Sequence, residues 1–269
     1  MKRLLLRAGR VLILSSIVST VANAAPCEKL RSLSLPATTI TAVEVVPAGP
    51  FQAPGNPAPL PMTLPAHCRV AAVLTPSSDS RIAMEVWLPA ENWNGKFEAV
   101  GNGGWAGVIS YAAMAQALNE GYATASTDTG HTGGNALFAI AHPEKLNDFA
   151  YRAIHEMTVS AKAIVTAFYG QPAKLSYFDG CSTGGRQGLM EAQKYPLDYD
   201  GIVTGAPVTS ETHLGAWHMW MSAWIVRNPD AALSSSKLEI VNKAVLQACD
   251  AADGVRDGLL NDPRRKIPS

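Results

Sequence analysis

Along this 269-residue chain the apolar positions switch between a two-residue and a 3.6-residue period, and the switches set the elements. "HCRVAAVLTP" (67–76) and "RIAMEVWLP" (81–89) have strand character and are close enough to pair as a hairpin. "GKFEAVGNGGWAG" (95–107) reads as a strand running into a glycine-rich loop. "AAMAQALNEGYATASTDTG" (112–130) reads as a helix, a glycine stop and a short strand. "DFAYRAIHEMTVSAKAIVTAFYG" (148–170) carries apolar residues at helical spacing and stops at Gly170. A strand follows in "AKLSYFDG" (173–180), a helix in "GGRQGLMEAQKYP" (184–196) and a strand in "YDGIVTGAP" (199–207). Strand and helix in alternation predict an α/β fold, a mostly parallel sheet with helices on both faces, over residues 25–207. Within it, "PAGPFQAPGNPAPLP" (47–61) cannot be helix interior, and 25–65 as a whole reads as loop and extended chain. After Pro207 the pattern becomes helical with Trp217, Trp220 and Trp224 at helical spacing, so 208–269 is expected to begin a mainly helical insertion.

Composition adds a core but no electrostatic partner. Hydrophobic residues make up 47% of the chain and the formal net charge is zero, so nothing points to nucleic acid. The N-terminus reads as a signal peptide: Lys2, Arg3, Arg7 and Arg10, then apolar Val11 to Val21, then "ANA". Cleavage is expected after Ala24, giving a secreted or periplasmic protein free of the membrane; the apolar run is shorter than the ~20 residues that span a bilayer. Export places Cys27, Cys68, Cys181 and Cys249 in an oxidising compartment. Four cysteines allow three full pairings and spacing does not choose between them; Cys27 and Cys68, in the same N-terminal segment, are the expected pair.

The chemistry concentrates in "YFDGCSTGGRQG" (177–188), where "GCSTG" matches G-x-S-x-G between a strand and a helix. A serine on that turn, here Ser182, is lifted above the sheet as a nucleophile. The helix that starts behind it aims backbone N–H groups at the reacting oxygen. The N–H of Thr183 is then one oxyanion donor, and Gly103 and Gly104 in "GNGGWAG" are the expected source of the second. The competing reading is a glycine-rich turn that only packs.

"GCSTGGRQGLMEAQKYPLDYDGIVTGAP" resembles the tannase and feruloyl esterase family of α/β hydrolases, and "WNGKF" (93–97), "GNGGWAG", "STDTGH" (126–131) and "FAYRAIHEMT" (149–158) are similar to its landmarks. The resemblance covers nearly all of the chain after residue 24. It implies a serine carboxylic-ester hydrolase acting through an acyl-enzyme on esters of aromatic acids such as ferulate, gallate or terephthalate. It also implies the Cys27–Cys68 disulfide. The acidic stretch "CDAADGVRDGLLND" (249–262) has two readings from its residues alone, a solvated turn or a calcium loop. The resemblance favours structural calcium in a lid, held by the side chains of Asp250, Asp253 and Asp257 and the carbonyls of Val255 and Leu259.

The base and acid of a triad do not emerge from the chain. His67, His131, His142, His155, His213 and His218 each read as structural, and Asp128, at a strand end, precedes the nucleophile, whereas hydrolase acids follow it. No zinc-ligand spacing and no dinucleotide fingerprint is present. In the resembling family the triad Asp and a His–Cys pair follow the lid, and the Cys of that pair bonds the Cys directly before the serine. The expectation is therefore a C-terminally truncated esterase, nearly inactive alone, with Cys181 and Cys249 lacking their usual partners. The rival expectations are a hydrolase-like binding protein without catalysis and the product of an interrupted gene.

Overall fold

The computed structural model describes residues 25–53, 62–105, 107–260 and 262; the expected signal segment and its cleavage site lie outside them. The strands are β1 (Thr38–Val46), the two-residue β2 (Gly49–Pro50) and β3 (Thr63–Leu64), β4 (His67–Leu74), β5 (Ile82–Pro89), β6 (Lys96–Val100), β7 (Ala123–Thr127), β8 (Leu175–Cys181) and β9 (Gly201–Gly205). The helices are α1 (Tyr111–Asn119), α2 (Pro143–Asn147), α3 (Ala153–Tyr169), α4 (Thr183–Lys194), α5 (Glu211–Arg227) and α6 (Ser235–Cys249). Two compact units divide at Thr209/Ser210.

Seven strands of the first unit form one sheet in the order β1-β4-β5-β7-β6-β8-β9. The sheet is evenly mixed. β1, β4, β5 and β7 pair antiparallel, while β7, β6, β8 and β9 pair parallel. The hairpin of β4 and β5 forms as expected, with Cys68 opposite Leu88. β1 departs from the expectation of loop through 25–65. "TTITAVEVV" is rich in β-branched residues, and its only fully buried member is Val43, so its edge position and proline-rich surroundings conceal a strand that pairs along β4. Beside it, Cys27 opens a short 3₁₀ turn (Cys27–Ser32) and is disulfide-bonded to Cys68 on β4, with Cα atoms 5.6 Å apart.

Period-two alternation sorts β5 between the two faces. Ile82, Met84, Val86 and Leu88 meet Ile154, Met157, Ala161, Ile164 and Val165 of α3 in the larger core cluster. Trp87 points the other way and packs with Val100 and with Met114, Ala115 and Leu118 of α1. The same side holds a charge cluster: buried Arg69 pairs with buried Glu85 and with exposed Glu44, and Glu85 also accepts from Trp87 Nε1 and Tyr111 Oη at 2.9 Å each. α3 ends at Gly170, whose φ of +68° is the left-handed cap its sequence position predicted. No helix among the described residues is long and apolar enough to cross a membrane.

Candidate active site

β8 and α4 meet with a single residue between them, Ser182, at φ +61° and ψ −117°. For a residue with a Cβ this conformation costs on the order of 1–3 kcal/mol and persists only when its surroundings impose it. Those surroundings are visible. The Ser182 N–H donates to the Gly205 carbonyl at 2.9 Å, and its carbonyl accepts from Arg186 N at 3.0 Å. A Cβ on Gly180 would lie 2.5 Å from the Gly184 backbone, and one on Gly185 would lie 2.3 Å from the Gly205 oxygen. The motif glycines thus let α4 turn back against β8 and β9 directly behind the serine.

The glycine loop is bonded to this turn. Gly184 N donates to the Asn102 carbonyl at 2.7 Å, and Thr183 Oγ1 donates to the Gly104 carbonyl at 2.8 Å. Asn102 and Gln187 of α4 form a reciprocal amide pair: Gln187 Nε2 donates to Asn102 Oδ1 at 3.0 Å and Asn102 N to Gln187 Oε1 at 3.1 Å. Asn102 Nδ2 also donates to the carbonyls of Val108 and Thr127, both at 2.8 Å. Asn102 and Gln187 were not singled out in the sequence; an amide inside a glycine-rich loop is the one signal that could have found the first. A Cβ at Gly103 or Gly104 would meet nothing within 4 Å, so the loop borders open space. The N–H of Thr183, in the first turn of α4, has no helical partner and is available to an anion.

No histidine or carboxylate among the described residues hydrogen-bonds the Ser182 hydroxyl. His131 braces the glycine loop instead: one ring nitrogen lies 2.7 Å from the Trp105 carbonyl, and the ring stacks on Phe138 at 3.7 Å. Trp105 in turn stacks on Phe149 at 5.0 Å. His67 is buried against the Pro65 carbonyl, and burial lowers its pKa. His142 pairs with Asp79 and His213 with Ser210. His218 lies against Trp217 in the second unit. Asp128 accepts from the N–H groups of Ala83 and Gly130 at 2.9 and 2.8 Å, and burial outweighs those bonds to push its carboxyl up to about 6. It anchors a β7 turn. Cys181 and Cys249 are free thiols.

In the second unit the indoles of Trp217, Trp220 and Trp224 on α5 are half exposed, and the last two line an apolar groove of about 590 Å³ with Met221, Ile225 and Leu233. In the acidic loop, Asp250 Oδ1 accepts from Asp257 N and Gly258 N at 3.2 and 3.0 Å. Asp253 accepts from Val255 N and Asp257 from Leu259 N, both at 3.0 Å. The donor set is hard oxygen and fits calcium chemistry. The carboxylates are nonetheless turned to the loop's own amides, and Asp250, Asp253 and Asp257 do not gather within 4.8 Å of one another as His155, Glu191 and Asp198 do.

Comparison with known proteins bears on this geometry. Residues 68–266 match the family model described as tannase and feruloyl esterase. An uncharacterised esterase of Xanthomonas campestris pv. campestris is 41% identical over 98% of this chain and 45% of its own length. A probable feruloyl esterase B-1 of Aspergillus flavus is 38% identical over 86% of this chain and 45% of its own. Among solved structures, feruloyl esterase B from Aspergillus oryzae superposes with a TM-score of 0.80 at 37% identity, covering 88% of this chain and 48% of that one. Tannin acyl hydrolase from Aspergillus niger gives a TM-score of 0.67 at 26% identity, covering 89% and 45%. The chain spans about half the length of these relatives. A serine elbow braced by a glycine loop, on a sheet these relatives share along nearly all of the described chain, places the protein in the tannase and feruloyl esterase family of α/β hydrolases.

Proposed function

We propose that this protein is an exported serine esterase that cleaves esters of aromatic acids, with Ser182 as the residue acylated. The observation that carries the reading is the forced φ of +61° at Ser182, between a strand end and a helix start, bonded on both sides. Ser182 Oγ attacks the ester carbonyl, the alcohol leaves, and water releases the acid from the acyl-enzyme. The N–H of Thr183 and an N–H of the Gly103–Gly104 loop receive the developing oxyanion, and the Thr183–Gly104 hydrogen bond fixes their spacing. A serine hydroxyl needs a base to take its proton. The proposal assigns that base, and the acid that orients it, to residues outside those described here. The relatives' names support the aromatic acyl group; the choice among feruloyl, galloyl and similar acids stays open to the assay.

The second unit is proposed as the start of a lid that carries structural calcium, with Asp250, Asp253 and Asp257 as side-chain ligands and Val255 and Leu259 as carbonyl ligands. The ion's part there is to fix the loop; the ester chemistry belongs to Ser182.

The test is hydrolysis of methyl ferulate and methyl gallate by the protein expressed from its full gene, beside Ser182→Ala. Ser182→Ala is expected to lower kcat on the order of 10⁴–10⁶-fold in the full-gene product. Undiminished hydrolysis by the Ser182→Ala full-gene product overturns the assignment.

A further inference from the structure

On the sheet face shared by α3 and α4, three ligand-type side chains converge from three separate segments. His155 comes from α3, Glu191 from α4, and Asp198 from the turn between α4 and β9. One candidate ligand atom from each lies within 4.8 Å of the others. His155 Nδ1 is 2.6 Å from Asp198 Oδ2, and the imidazole is oriented by stacking on Tyr195 at 3.8 Å with the planes 8° apart. Glu191 has no exposed surface, and neither of its carboxylate oxygens meets a hydrogen-bond donor. The group facing it is the Asp198 carboxylate, a second acceptor. The Lys162 ammonium donates to the Asp198 backbone carbonyl instead of to either carboxylate.

A fully buried carboxylate without a donor is costly, and a second acid facing it adds to the cost. Two remedies exist: a proton shared between the acids, or a cation between them. Burial first, and then the charge of Asp198 and a side-chain hydrogen bond with it, push the Glu191 carboxyl up to about 8, which does not choose between the two remedies. The third member favours the cation. An imidazole nitrogen aimed at the same point, already bonded to Asp198 Oδ2, completes a nitrogen–oxygen–oxygen ligand set that a shared carboxylic proton does not require. We propose that His155, Glu191 and Asp198 form a binding site for a divalent transition-metal ion of the zinc type. Imidazole with carboxylates suits zinc and its neighbours, whereas calcium takes oxygen ligands alone.

The present 2.6 Å between His155 and Asp198 is a hydrogen-bond spacing. Two ligands about 2.0 Å from a tetrahedral ion sit roughly 3.3 Å apart. Binding therefore exchanges the proton between them for the ion and opens the pair by less than about 1 Å, within reach of a side-chain torsion. His155 and Asp198 are partly exposed, so the ion has a way in, and water can fill the fourth position. The ion ties α3 to α4 and to the turn leading into β9. Because α4 begins directly after Ser182 and β9 ends at the carbonyl holding Ser182 N, the bound ion steadies the elbow from behind without touching substrate. This inference stands apart from the esterase reading, since its readouts are binding and stability.

The test titrates Zn²⁺ into the chelator-stripped full chain by calorimetry and thermal unfolding at pH 7.5, with 1 mM Ca²⁺ present to occupy the acidic loop. Glu191→Gln and His155→Phe are measured in parallel; the first removes the buried acid without changing its shape, so it folds. One equivalent is expected to bind, with Tm rising by about 3 °C or more at saturation. Affinity is expected to fall at least about tenfold in each variant. Absence of saturable binding up to 1 mM, or equal binding by Glu191→Gln, overturns the proposal. So does a Glu191→Gln chain that matches the wild type at pH 6 and exceeds it at pH 9 with no zinc effect in either, because a shared proton then accounts for the cluster.

Discussion

At the scale of single residues, the elbow shows what the G-x-S-x-G pattern asks of each position. The serine carries the strain and the glycines supply room. Gly180 makes this quantitative. A methyl group there would sit 2.5 Å from backbone atoms of Gly184, and backbone cannot swing aside as a side-chain end can. Gly180→Ala should therefore push α4 off β8, destabilising the chain by roughly 2 kcal/mol or more, within the range for overpacking. At Gly103, where a Cβ meets nothing within 4 Å, alanine should cost less than about 1 kcal/mol. Urea unfolding of both variants checks the contrast. Equal midpoints would mean that the elbow relaxes and that the close approach is not required. The motif glycines were legible because close approach leaves a mark in sequence. Asn102 and Gln187 were not: their role arises from an 85-residue separation closed by the fold, and an isolated amide carries no period and no spacing.

Among elements, the parallel half of the sheet was readable and the antiparallel half was readable only in its hairpin. β6 runs into Gly101, β8 carries Gly180 and β9 ends at Gly205 ahead of Pro207, and each precedes a helix in the chain, so period and punctuation agree. β1 is bounded by Pro36 and Pro47 but leads into no helix and buries only Val43, and its membership depends on β4, which lies more than twenty residues further along. The sheet also sets a pH dependence. Glu98 on β6 is pushed up to about 7 by burial first and then by Asp179 on β8 and Glu120 at the end of α1. Its folded pKa lies above its unfolded one, so the fold favours the protonated form. That contribution is complete below about pH 4.5 and is lost as pH rises through about 7. Glu98→Gln keeps the neutral form at every pH. Its Tm advantage over the wild type should grow from pH 4.5 to 7 and level off above about 8. Melting curves across that range decide the matter, and parallel wild-type and variant profiles would remove Glu98 as the cause.

For the whole molecule, the two units differ in how they are held. Residues 25–209 bury two apolar clusters and a disulfide-bonded edge. In the second unit α5 buries none of its residues and α6 buries only Cys249, so apolar burial contributes little to its order. The acidic loop is closed instead by carboxylates bonded to its own amides, with Gly254 and Gly258 at φ +97° and +77° supplying the turns. These same carboxylates are the proposed calcium ligands. Binding should bring carboxylate oxygens of Asp250, Asp253 and Asp257 onto the ion and lock turns that are already made. A global melting temperature would register mainly the better-packed unit, so the informative observable is local. Amide hydrogen exchange over 235–260 should slow at least about tenfold in millimolar Ca²⁺ relative to a calcium-free chain, while β4 to β8 stay unchanged. Asp257→Asn, which keeps the side-chain shape and the acceptor for Leu259 N but removes one of the three ligand charges, should abolish most of that protection. Protection that spreads equally over both units, or that survives in Asp257→Asn, would place the ion elsewhere and leave the loop as a self-bonded turn.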